Sequence, residues 1–136
     1  THPRDFPVIS RLTHEYASMG RIAAVAARNN AAGDNFPTQV VPCFGIHPWF
    51  LHEVEGNSWL EELEEALVTH PEAAVGEIGL DSVRYPIASM ERQVEAMDAQ
   101  LELAYRYQRP VSIHCVHAYG PLFTSISKNT SSLPPR

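Results

Sequence analysis

The chain has 136 residues, of which 44% are hydrophobic and 19% charged, with a formal net charge of −6 and two cysteines. This length suits one ordinary domain with its own core, and the balance excludes a disordered or low-complexity chain. The acidic charge and the lack of a Lys/Arg stripe exclude broad electrostatic binding to nucleic acid, but not cleavage in which bound divalent cations supply the positive charge.

No apolar run approaches the ~20 residues that span a bilayer, and no basic-then-apolar leader precedes the first segment. The expectation is therefore a cytoplasmic protein, with a nuclear location as the alternative, and no membrane partner. The start at Thr1 leaves a removed leader open. Cys43 and Cys115 are too few for a disulfide scaffold and are expected as reduced, buried thiols.

In chain order, Asp5 as N-cap and Pro7 in the first turn predict a helix whose apolar face is Ile9, Leu12, Tyr16 and Met19. Gly20 can end it, and the alanine-rich stretch 22–28 either continues it or stands apart. Residues 29–37 read as a loop. Val40 to Phe44 predicts a short buried strand that Pro42 interrupts. Ser58, with Glu61 three residues later, predicts a capping box opening a helix with Trp59, Leu60, Leu63, Ala66 and Leu67 inside. Ala73 to Gly76 predicts a second strand. Ser89 caps a long helix with the face Met90, Val94, Met97, Leu101 and Ala104, which must stop before Pro110. Val111, Ile113 and Cys115 begin a third strand, and the segment 121–136 reads as a loose tail of a single unit spanning 1–136.

Helices alternating with strands too apolar for period-two patterning predict an α/β fold with a parallel sheet. Either a doubly wound sheet or an arc of a (β/α) barrel satisfies that order.

The polar residues of interest follow the strands. His47 lies in Gly45-Ile46-His47-Pro48, Glu77 and Asp81 in Gly76-Glu77-Ile78-Gly79-Leu80-Asp81, and His114 in Ser112-Ile113-His114-Cys115. In α/β barrels the C-terminal strand ends face the active site, so His47, Glu77 and His114 together propose a metal site. Each also has a plain structural reading, as a hydrogen-bonded group or, for His47, a loop cap. Glu77 is the least ordinary, because a carboxylate buried between apolar neighbours must be paired, protonated or metal-bound. His117, three residues past His114, belongs behind the ligands at most. His2, His14, His52 and His70 read as surface or loop residues, and the acidic run at Glu61, Glu62, Glu64 and Glu65 as a solvated helix face.

These motifs, with the run from Gln93 to Cys115, resemble the TatD-related metal-dependent hydrolases and deoxyribonucleases. Val41-Pro42-Cys43-Phe44-Gly45-Ile46-His47-Pro48-Trp49-Phe50 is similar to a fungal branch. The likeness covers roughly residues 40–120. It implies a TIM barrel with two divalent cations (Mg²⁺, Mn²⁺ or Zn²⁺) that hydrolyses phosphodiesters, with DNA as substrate. Glu77 matches the carboxylate that bridges the cations and His114 a ligand of one, so both are implied as catalytic and metal-binding. His47 and Asp81 match positions beside the site.

The family's His-x-His strand and its later His and Asp have no counterpart here. A TIM barrel typically needs ~250 residues, so an incomplete barrel is expected, inactive on its own. Two other readings stay open: a barrel metallohydrolase acting on amides, lactones or phosphotriesters, and a non-catalytic binding or regulatory piece.

Overall fold

A computed structural model describes residues 2–15, 41–84 and 88–128. The predicted Gly20 stop and the segments around residues 22–37 lie outside them. A 3-10 turn at Pro3–Asp5 leads into helical residues 6–15, here α1. There follow β1 (Cys43–Phe44), a 3-10 helix at Pro48–Glu53, α2 (Ser58–Thr69), β2 (Ala74–Asp81), α3 (Met90–Arg106), β3 (Val111–Val116) and α4 (Tyr119–Lys128).

The strands form one sheet in the order β1-β2-β3, with both pairings parallel. Parallel neighbours joined through helices are what the apolar strand patterning predicted, and the α/β expectation holds as an arc of barrel-type sheet. Phe44, Val75, Ile78 and Leu80 of the sheet share one core with Leu63 and Leu67 of α2 and Met97, Leu101 and Ala104 of α3. Phe6 of α1 closes it, edge-on to Phe44 with ring centroids 5.2 Å apart. A second cluster, Ile46, Leu51, Trp59 and Ala96, supports the loop after β1. Among the described residues no helix is long and apolar enough to cross a membrane.

Several local expectations change. Asp5 lies inside the 3-10 turn ahead of α1, and His2 caps that turn, accepting from the Arg4 amide at 3.1 Å while the Asp5 carboxylate accepts the His2 amide, also at 3.1 Å. The predicted box at Ser58 and Glu61 is absent. The N-cap of α2 is Asn57, one residue earlier, and its side chain makes no capping bond.

The first strand shrinks to two residues. Pro42 has no donor but its carbonyl accepts from Ala74 at 2.9 Å. β2 runs on to Asp81, so Glu77 lies inside the strand rather than beyond it. Residues 121–128, expected in the loose tail, belong to α4, where Ser125 is buried against α3; residues 129–136 lie outside the described set. His70 is a core histidine, 7% exposed, bonded to Ser10 Oγ at 2.9 Å and ring-stacked on Phe44. Glu64 is not merely solvated, because it accepts from Tyr107 at 2.7 Å and Arg106 at 3.0 Å. These donors hold its carboxyl below the usual range, the Tyr107 hydroxyl first.

Candidate metal centre

The site is assembled from two strands and one strand-following loop. β2 makes three steps between its Val75 and Ile78 pairings where β3 makes two, Val111 to Ile113. That extra residue is a bulge, a device that re-aims a side chain, and Glu77 lies within it. Glu77 is the single exposed residue of β2, with 49% of its side chain accessible. The expectation of a carboxylate trapped among apolar neighbours is thus corrected: the bulge turns it to the mouth of the sheet.

Past the bulge, Gly79 faces His114 across the ladder. A Cβ added at Gly79 would lie 2.0 Å from the His114 carbonyl oxygen, and its φ of +141° disfavours any side chain. Glycine here lets β3 approach closely enough to bring His114 to Glu77.

His114 Nδ1 stands 3.8 Å from Glu77 Oε1, and its Nε2 stands 3.0 Å from Asp81 Oδ2. Asp81, 2% exposed, has every lone pair engaged. Its Oδ2 accepts from the Trp49 indole at 2.7 Å and from His114, and its Oδ1 accepts from the amides of Val83 at 2.8 Å and Arg84 at 3.1 Å. Burial pushes its carboxyl up, but those donors outweigh it, Trp49 foremost, and hold it well below the usual carboxylate range. An anionic Asp81 requires the proton on His114 Nε2, so that in the neutral imidazole the lone pair is on Nδ1, beside Glu77. A carboxylate orienting a histidine in this way is the usual support behind a metal ligand.

His47 is held differently. It caps the 3-10 helix, its Nδ1 accepting from the Trp49 amide at 3.2 Å. Its Nε2 stands 3.8 Å from Glu77 Oε2. Burial, and next the neighbouring His114, lower its pKa to about 4, so it is neutral at pH 7. With Nδ1 accepting, the proton sits on Nε2, and His47 presents a donor to the Glu77 carboxylate rather than a lone pair. The two imidazoles lie edge to face, their centroids 4.3 Å apart.

Ligand atoms of His47, Glu77 and His114 all lie within 4.8 Å of one another, the group of this kind found among the described residues. Metal–ligand bonds of ~2.0–2.2 Å match a cation between Glu77 and His114 Nδ1. The donor set therefore fits: a free imidazole lone pair facing an accessible carboxylate. His117, expected behind the ligands, is exposed, with a φ of +50°, and its carbonyl accepts from Ser82 Oγ at 2.7 Å; it is not part of the ligand group formed among the described residues.

Three contributors escaped the sequence reading. Trp49 joins the site through its bond to Asp81 and carries the Arg84 guanidinium 4.1 Å above its ring. Gln93 and Gln100 of α3 are fully buried and reach the strand ends. Their signal was present, since Gln93, Met97, Gln100 and Ala104 recur at helical spacing on one face.

The family model described as TatD related DNase matches residues 13–133. In Schizosaccharomyces pombe, the Cut9-interacting protein scn1 is 26% identical over 191 aligned residues, covering 93% of this chain and 57% of that protein. The deoxyribonuclease Tat-D of the same yeast is 32% identical over 148 residues, covering 98% of this chain and 47% of that protein. The uncharacterized metal-dependent hydrolase YjjV of Escherichia coli is 34% identical over 121 residues, with 83% and 46% covered. The chain thus spans about half the length of these relatives. With the family model matching most of its residues, the chain belongs to the TatD-related DNase family.

Proposed function

We propose that this chain carries the central part of a divalent-metal-dependent hydrolase that cleaves phosphodiester bonds, with DNA as its substrate. One observation carries the reading: Glu77 and the free Nδ1 of His114 face each other at 3.8 Å while Asp81 fixes the other nitrogen of that imidazole. Glu77 and His114 would hold the divalent cation. Such a cation supplies Lewis acidity and positive charge opposite a phosphodiester, which the chain's own charge of −6 does not. Asp81 keeps the proton on His114 Nε2. His47 turns its Nε2 toward Glu77 Oε2 at 3.8 Å.

The test is calorimetric titration of the chain with Mn²⁺ and with Zn²⁺, repeated on Glu77→Ala and His114→Ala. Binding should weaken at least tenfold in both variants, and cleavage of an oligodeoxynucleotide, where present, should be lost with Glu77→Ala. Unchanged affinity in Glu77→Ala would overturn the assignment. A second reading, a binding piece that keeps the fold without the chemistry, draws on the small donor set. Glu77 and His114 are two protein ligands where metal sites ordinarily have three or four. A folded chain that binds neither cation favours it.

A further inference from the structure

The side-chain amides of Gln93 and Gln100 do more than fill the interior of α3. Gln100 Oε1 accepts the Ile46 amide at 2.7 Å, and its Nε2 donates to the Ile46 carbonyl at 3.3 Å and to Ala96 O at 3.1 Å. Gln93 repeats the pattern on β2. Its Oε1 accepts the Asp81 amide at 2.8 Å, and its Nε2 donates to the Asp81 carbonyl at 3.1 Å and to Ala88 O at 2.8 Å. Each amide thus grips both backbone groups of one residue and spends its remaining hydrogen on a second carbonyl.

The residues gripped are not arbitrary. Ile46 immediately precedes His47, and Asp81 is the group that orients His114. A glutamine is the one side chain with an acceptor and two donors at this reach: Glu lacks the donors, Asn is a methylene short, and Met has only a weakly accepting sulfur. Gly45 allows the approach, since a Cβ there would lie 3.2 Å from Gln100 Oε1. The two glutamines are seven residues apart, two helical turns, so one face of one helix reaches both strand ends.

We propose that Gln93 and Gln100 are positioning residues of the candidate metal centre, Gln100 setting the His47 imidazole and Gln93 setting Asp81 and through it His114. The proposal takes its functional meaning from the metal-hydrolase reading, but its geometry is testable without a metal. A merely structural role would make each substitution loosen the molecule as a whole. Positioning makes the effects separate, one histidine for each glutamine.

The experiment is nitrogen-15 NMR of the metal-free 136-residue chain, following the imidazole Nε2–H signals of His47 and His114 in Gln100→Met, Gln93→Met and a core control, Leu101→Ala. Gln100→Met should speed exchange of the His47 proton at least tenfold and change that of His114 less than twofold. Gln93→Met should do the reverse, and Leu101→Ala should separate the two in neither direction. Equal responses of both histidines in each glutamine variant would overturn the proposal.

If the Met variants do not fold, hydrogen exchange of the unmodified chain decides. The Ile46 amide lies beyond the end of β1, and should still exchange at least a hundredfold more slowly than the exposed amide of Gly56; comparable rates would overturn it. Mn²⁺ titration of the folded variants separates the two levels of the argument. No binding by the unmodified chain counts against the metal reading and leaves the NMR result to judge the clamps.

Discussion

The strand on one side of β2 is two residues long, and the strand on the other is six. The short side is thickly covered. Phe44 and Ile46 are buried, and β1 is backed by Phe6, His70 and the two core clusters. The long side is thinly covered, with Ser112 and Ile113 of β3 exposed. The two sides consequently hold their histidines by different means. His114 is placed by strand pairing up to Val116 and then locked by Asp81. His47 lies three residues past the end of its strand, where no ladder reaches, and depends on a helix cap and on the grip of Gln100 upon its neighbour. Where backbone pairing stops, a side-chain amide substitutes for it.

The contrast can be broken most severely at Phe44. Phe44→Ala removes a fully buried ring from the short side and should lower stability by about 3–5 kcal/mol in urea unfolding. A loss below ~1 kcal/mol would mean that core packing contributes little there. Gly79→Ala attacks the long side, forcing a Cβ against the His114 carbonyl in a backbone conformation that suits glycine. A loss of about 2–3 kcal/mol is expected, together with weakened pairing at His114 seen as faster exchange of β3 amides. Wild-type exchange rates in that variant would show that β3 is free to slide.

The mildest probe is chemical. Cys43 sits on the covered side, and burial raises its thiol pKa. In the fold the neutral thiol is favoured, so this contribution to stability persists up to the unfolded thiol value and erodes as pH rises beyond it. Alkylation of Cys43 should accordingly keep accelerating beyond the pH at which a small free thiol levels off; levelling off together with the free thiol would place Cys43 in open solvent.

The alternation of strands and helices was legible because buried parallel strands and an amphipathic helix leave plain patterns, as Val75 to Leu80 and Met90 to Ala104 do. The convergence of His47, Glu77 and His114 was legible too, since strand ends in such a sheet point one way. The accessibility of Glu77 was not, because a bulge is a relation between two strands and neither sequence alone contains it. The partnership of Trp49 with Asp81 spans 32 positions and had no local mark. Gln93 and Gln100 were hidden by chemistry: a polar residue on an apolar face reads as an interruption until its partners are known. Ser58 misled in the opposite sense, since a motif that can form a box need not when Asn57 takes the cap position and Ser58 is the first helical residue.

The spacing of the two glutamines makes α3 a ruler about 10.5 Å long between its grips. Inserting or deleting a single residue between them would swing one amide about 100° around the helix axis and out of reach of its loop. Length variation within 93–100 is therefore closed to the chain, whereas the turn at Tyr107 and Gln108, which touches neither grip, can absorb it. The helix is fixed in length where it measures and free where it merely connects.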